Sequence, residues 1–209
     1  CESLGETDWE AAARAIMTTD TRPKIRSASM SLSGGEVTIT GLCKGAGMIR
    51  PDMATMLAYV FTDAAVEQDA LQGLLASGVD QSFNRITVDG DTSTNDCCLL
   101  AATGASGVDV PADGDDWQRF SEAVNGVLRD LAIDIIRDQW ARVADEGITE
   151  EELARVKKFL TGAYPLRFDG NAAIARILAG LQMQGLPASY VAERNAKVEA
   201  VTLEQVNEV

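Results

Sequence analysis

The run from Lys44 to Leu57, Lys-Gly-Ala-Gly-Met-Ile-Arg-Pro-Asp-Met-Ala-Thr-Met-Leu, sets a threonine hydroxyl behind a small alanine in a chain without histidine. A threonine can act as a nucleophile without an imidazole if its own backbone amine, with a reference pKa near ~8, becomes the base. That chemistry requires a cut between Ala54 and Thr55, which brings the freed amine within reach of the Thr55 hydroxyl. The Ala54–Thr55 junction would then be cleavage site and active site at once. Taken by residue type alone, a Thr before an apolar run is a β-former or a turn residue.

A nucleophile of this kind needs a strand to hold it, and the neighbouring patterns supply several elements. Met30 to Thr40 alternates apolar and polar residues about Gly34-Gly35, a hairpin signal. Met56 to Phe61 reads as a buried strand. Asp63 to Leu75 places Ala65, Leu71, Leu74 and Leu75 on one helical face and is expected to end near Gly78. Ile86 onward reads as strand, turn and polar loop through Asp96.

Ala112 to Asp116 is expected to be a loop before a long helix, because Trp117, Phe120, Val124, Val127, Leu128, Leu131, Ile135, Ile136, Trp140 and Val143 recur at three- and four-residue steps. Thr149 and Glu152 form a capping box that opens a further helix through about Leu160. Residues 172–183 and the stretch from Leu203 also read as helical.

The acid-rich loop ending at Asp96 offers oxygen ligands in Asp89, Asp91 and Asp96, but it lacks the spacing and terminal Glu of an EF-hand. Turn-forming side chains that bond their own backbone are the preferred reading. The four cysteines, Cys1, Cys43, Cys97 and Cys98, contain no C-x-x-C pair, so no metal is expected and free thiols fit a reducing cytoplasm.

A hydrophobic share of 46% is ordinary for a chain that buries a core. No apolar run long enough to span a membrane occurs, residues 1–30 lack the pattern of a secretory signal, and an opening Cys1 suggests a fragment or processed piece. The net charge of −14 is uneven, with 9 basic and 20 acidic residues in 1–131 against 9 and 12 in 132–209. Nucleic acid is an unfavoured partner for such a surface, and an anionic substrate would need local cations.

Lys44 to Ala64 resembles the self-cleaving ornithine/glutamate N-acetyltransferases of arginine biosynthesis, whose nucleophile is the Thr of an M-A-T-M-L element. Ala15-Ile-Met-Thr-Thr-Asp-Thr-Arg-Pro-Lys24 and Phe83-Asn-Arg-Ile-Thr-Val-Asp-Gly-Asp-Thr-Ser-Thr-Asn-Asp96 resemble further stretches of that family, so the likeness covers about residues 8–133. It implies an α/β layered sandwich of the N-terminal-nucleophile type, truncated here. It also implies that Thr55 carries the acetyl group from N-acetylornithine to glutamate, that Lys44 holds the substrate carboxylate, and that no cofactor is required.

By the same resemblance, Gly45 and Gly47 let the backbone pass close to substrate, although glycines also serve tight turns. The intact family protein is expected to be an oligomer of cleaved chains, with acetyl-CoA as a further possible donor. The family's oxyanion donors are expected upstream of the matched text and its remaining substrate ligands downstream, which makes this a glutamate N-acetyltransferase with an incomplete site.

From residue 134 the text changes. Ile148-Thr-Glu-Glu-Glu-Leu-Ala-Arg-Val-Lys, Thr161-Gly-Ala-Tyr-Pro-Leu-Arg-Phe and Val198-Glu-Ala-Val-Thr-Leu-Glu-Gln-Val-Asn resemble the end of an insulinase-type (pitrilysin-like) zinc peptidase subunit. The division is therefore 1–133 and 134–209, the second part being expected as a partial α+β peptidase-type module. The alternatives are a non-catalytic peptidase subunit fragment or an inactive composite. Zinc catalysis is excluded in this chain, since the inverted zincin signature needs two histidines.

Overall fold

The computed structural model describes residues 8–18, 20–45, 56–86 and 96–208, divided between two compact units, 1–142 and 143–209. That division lies beyond the one expected at 133/134. Ala54, Thr55, Gly47, Asp89, Asp91 and Cys1 lie outside the described residues.

In the first unit, four strands form a sheet in the order β1 (Lys24–Leu32), β2 (Gly35–Lys44), β3 (Leu57–Thr62), β4 (Cys97–Ala102). The first two pairings are antiparallel and β3–β4 is parallel. The expected hairpin is present with its turn one residue earlier than the Gly34-Gly35 step, since Leu32 pairs with Gly35 across Ser33-Gly34. Gly35 has φ +138°, a conformation that a side chain would strain.

A parallel pair requires a crossover, and α2 (Gln68–Gln81) lies within it. It starts later than the sequence suggests. Ala65 donates to the Val108 carbonyl (2.8 Å) and accepts from Val110 (2.9 Å), so it belongs to an extended bridge instead of a helical turn.

The two faces of the sheet are covered by different helices. Ile39, Gly41 and Cys43 of β2 share a face with Ala58 and Val60 of β3, and that face meets α3 (Gly114–Glu146) through Val127, Leu131 and Ile135. The other face carries Leu42, Tyr59 and Phe61 and is covered by α1 (Trp9–Ile16), whose Trp9 ring lies 5.5 Å from that of Phe61. Asp8 caps α1 by accepting from the Ala11 N–H. The layers are helix, sheet, helix, an α/β arrangement.

Two glycines mark where these layers touch. A Cβ on Gly41 would stand 2.8 Å from Val127 Cγ1 and 2.9 Å from Leu131 Cδ1, beneath the best-buried stretch of α3. Gly41→Ala is expected to lower stability by about 1–3 kcal/mol through overpacking, read from the denaturant midpoint; an unchanged midpoint would mean α3 can lift away freely. Gly78 does not end α2, as the sequence suggested. It lies inside the helix, where a Cβ would meet Asn125 Oδ1 and Leu128 Cδ1 at 2.6 Å, so it is a close-approach glycine between α2 and α3.

β3 alternates rather than being buried throughout, with Ala58, Val60 and Thr62 inside and Leu57, Tyr59 and Phe61 only half-buried. The long helix runs continuously through the expected seam at Ile133, and Asp116 already belongs to it. Its apolar spacing overstates its burial: Trp140 is 73% exposed and Val143 40%. The buried face of the helix ends at Asp138 and Gln139, past the point where Ile135 meets the β2 exit at Gly45.

In the second unit, α4 (Glu150–Leu166), α5 (Asn171–Met183), α6 (Tyr190–Glu199) and α7 (Leu203–Asn207) follow one another. The predicted capping box is present, with Thr149 Oγ1 accepting from the Glu152 N–H (3.1 Å) and Glu152 Oε2 from the Thr149 N–H (2.7 Å). Asn207 closes the segment on itself by accepting from the Ile148 N–H (2.9 Å) and donating to its carbonyl (3.2 Å). Arg194 stacks 4.2 Å from the Tyr164 ring centroid, tying α6 to α4. The described residues 143–208 contain helices and no strand, which corrects the expected α+β tail: three- and four-residue spacing and two capping boxes favour helix along its length.

Candidate functional site

The candidate residue that the structure describes is Lys44. It is the last residue of β2, pairs with Leu57 at the start of β3, and lies on the sheet face that α1 covers. It is half-buried, and among the described residues no carboxylate pairs with it. A half-buried ammonium at a strand end, with no counter-ion among the described residues, can accept an external carboxylate.

The main chain on either side of the 46–55 connection is held by aspartates. The Gly45 N–H donates to Asp20 Oδ1 (2.9 Å), and the Met56 N–H donates to Asp96 Oδ1 (2.9 Å). Met56 is also held through its carbonyl, which accepts from the Cys97 N–H (3.0 Å). Asp96, weighed in the sequence as a turn or metal residue, is therefore an anchor for the start of β3. Both anchors fix backbone direction beside the residues expected to do chemistry.

Behind Asp20 lies a buried charge cluster that sequence reasoning missed. Lys24 Nζ donates to Asp20 Oδ1 (2.7 Å) and to Asp138 Oδ2 (2.8 Å), and the three side chains are 1%, 1% and 2% exposed. Thr21 Oγ1 donates to Asp138 Oδ1, and Arg22 Nε approaches the same oxygen at 3.5 Å. One turn earlier on α3, Asp134 accepts from Arg26 (2.6 Å). Asp20, Thr21, Arg22 and Lys24 all belong to the Ala15–Lys24 string, but their partner Asp138 is more than a hundred residues away.

Asp20 and Asp138 are both held below the ordinary carboxylate value. Burial alone would raise each of them. The Lys24 hydrogen bond and charge, with the Gly45 and Thr18 N–H groups for Asp20 and with Thr21 for Asp138, outweigh that effect.

Two of the thiols, Cys43 and Cys98, are not poised for chemistry. Burial pushes Cys43 up to about 12, only partly opposed by Lys24, and burial with the neighbouring Cys97 pushes Cys98 to about 12. Cys97 is exposed. Iodoacetamide at pH 8 is expected to modify Cys97 in the native chain and Cys43 and Cys98 only after unfolding, as peptide mapping would show; native labelling of Cys43 would overturn this burial assignment. Among the described residues no group of three or more metal-ligating side chains occurs, and no helix is long and apolar enough to cross a membrane.

Comparisons with known proteins bear on this arrangement. The model of the ArgJ family matches residues 1–149. The arginine biosynthesis bifunctional protein ArgJ of Pseudomonas fluorescens is 52% identical over 139 residues, which cover 66% of this chain and 34% of that protein. That of Agrobacterium fabrum is 51% identical over 135 residues (62% and 33%), and that of Methylococcus capsulatus 48% over 161 residues (74% and 40%). A crystal structure of the arginine biosynthesis bifunctional protein argJ from Bacillus halodurans aligns with a TM-score of 0.35 at 41% identity, covering 37% of each chain. The matched part spans about a third of the length of these curated relatives.

Proposed function

The chain belongs to the ArgJ family, and on that premise we propose that it contributes to acetyl transfer from N-acetylornithine to glutamate in arginine biosynthesis, through an acetyl ester on Thr55. On this reading the Thr55 hydroxyl attacks the Ala54 carbonyl, the peptide nitrogen leaves, and water releases Ala54. The freed α-amine then serves as the base for Thr55. Attack on the acetyl carbonyl of N-acetylornithine releases ornithine, and the amine of glutamate takes the acetyl group. Lys44 holds the substrate carboxylate.

The observation that supports this reading is the pairing of Lys44 with Leu57 on adjacent strands. It keeps the expected cation and the strand that follows Thr55 together whether or not the connection between them is intact. A carboxylate held by a charge-assisted hydrogen bond gains roughly 1.5–3 kcal/mol. At the family's complete length, Lys44→Ala is therefore expected to raise the KM for glutamate about 10-fold or more and leave Thr55 able to take up acetyl. Ornithine release and the mass gain of one acetyl group on the Thr55 fragment measure the two; an unchanged KM would remove Lys44 from the site. Donor use of acetyl-CoA, a cytoplasmic location and oligomers of cleaved chains belong to the same proposal.

A second reading concerns the tail. Residues 134–209 would be a non-catalytic fragment of an insulinase-type peptidase subunit, joined to the family domain as a composite. The family match runs past residue 134 and ends at residue 149, and a separate compact unit begins at residue 143, so the support is for a distinct tail after residue 149. Deleting residues 150–209 should then leave the folding of the first unit intact, as circular dichroism would show, whereas loss of its cooperative transition would tell against a separate tail.

A further inference from the structure

We propose that Asp20 is a positioning residue for the Lys44 cation: by accepting the Gly45 N–H it sets the direction in which the end of β2 presents Lys44. The inference rests on the reading of Lys44 as the holder of a substrate carboxylate. It extends that reading to a residue that acts through the backbone.

Three segments converge on this one carboxylate. Oδ1 accepts from Lys24 Nζ on β1 (2.7 Å) and from the Gly45 N–H at the β2 exit (2.9 Å), and Oδ2 faces the Thr18 N–H (3.4 Å) in the link between α1 and β1. The Asp20 side chain is 1% exposed, so its direction is fixed from all sides. A tie between β1 and α3 would need only Lys24 and Asp138, which already meet at 2.8 Å. A second buried carboxylate on the same ammonium is expensive to desolvate, and its remaining strong partner is the N–H of the residue directly after Lys44.

The Lys24–Asp138 pair provides an internal control. Asp20→Ala and Asp138→Ala each leave Lys24 with one carboxylate, but only the first removes the acceptor of Gly45. In the 209-residue chain, Asp20→Ala is expected to speed amide exchange at Gly45 about 10-fold relative to Asp138→Ala, since a hydrogen bond to a charged acceptor is lost. At the family's complete length, Asp20→Ala should raise the KM for glutamate about 10-fold with kcat within about threefold, the pattern of lost binding. Asp138→Ala should leave KM within about twofold while lowering thermal stability to a similar degree.

Equal KM changes in the two variants, or unchanged exchange at Gly45, would overturn the proposal and leave Asp20 as a structural residue. If Lys44→Ala leaves KM unchanged, or the wild type releases no ornithine, the reading of Lys44 fails and the proposal falls with it. Should Asp20→Ala not fold, Asp20→Asn takes its place: it keeps the size and weakens the acceptor. A KM rise of about threefold, absent from Asp138→Asn, is then the expected result, and parity between the two overturns the proposal.

Discussion

Intact-mass spectrometry of the chain at the family's complete length is expected to show two polypeptides that meet at Ala54–Thr55, and Thr55→Ala to leave a single uncut one. The hydroxyl is the only group in the proposed acyl shift that forms the new bond to the Ala54 carbonyl. Removing a nucleophilic hydroxyl from a hydrolytic site costs on the order of 10⁶ in rate, enough to turn complete cleavage into none. Thr55→Ser retains the hydroxyl and should still cut, which separates loss of the nucleophile from loss of the strand. An alanine variant that is cut at the same bond would sink the mechanism, and so would an uncut wild type.

Lys24→Met should be the most damaging single change in the first unit. It removes the ammonium from between Asp20 and Asp138, whose side chains are 1% and 2% exposed. Stranding a buried charge by deleting its partner typically costs about 3–5 kcal/mol, a large part of the stability of an ordinary domain. Chemical denaturation of the 209-residue chain measures the loss, and a change under about 1 kcal/mol would show that the cluster is better solvated than its burial implies.

The pH dependence should reverse as well. In the wild type both carboxylates lie below their ordinary value near 3.8, so they add stability above the unfolded pKa of about 3.9, which is lost as pH falls through the folded values. In the variant the Lys24 hydrogen bond and charge are gone, and burial raises both pKa values against the weaker hold of Gly45 and Thr18 on Asp20 and of Thr21 on Asp138. Protonation then relieves the folded state, and the variant should gain stability between about pH 7 and pH 5, where the wild type is flat.

The legible parts of this fold are those whose cause is local. The hairpin could be read because a Gly-Gly step sits between alternating residues, and the Thr149 capping box because both of its members lie within one turn. Helix α1 was missed, being only two turns long with Trp9 and Ala13 as its main contacts, and so was β4, whose Cys-Cys-Leu-Leu-Ala-Ala run shows no period. Gly78 was misread since a glycine needed for close packing looks in sequence like one that ends a helix. Trp140 was misread for the opposite reason: helical spacing persists after the face it serves has ended. A motif names Lys44 and Thr55 as candidates, with the roles proposed above, whereas the buried Asp20–Lys24–Asp138 cluster has no signature in the sequence. Nothing in a sequence says that Asp20 and Asp138 will share the Lys24 ammonium as a donor.

The sheet register also determines what scission would do to the thermodynamics. β2 and β3 pair from Ile39↔Thr62 to Lys44↔Leu57 and sit on opposite sides of Ala54–Thr55. Before the cut, the two strands meet at the high effective concentration imposed by a short tether. Afterwards the same hydrogen bonds join separate molecules, so refolding becomes second order and the melting temperature depends on dilution. Once taken apart at nanomolar concentration, the cut protein would not readily find its other half.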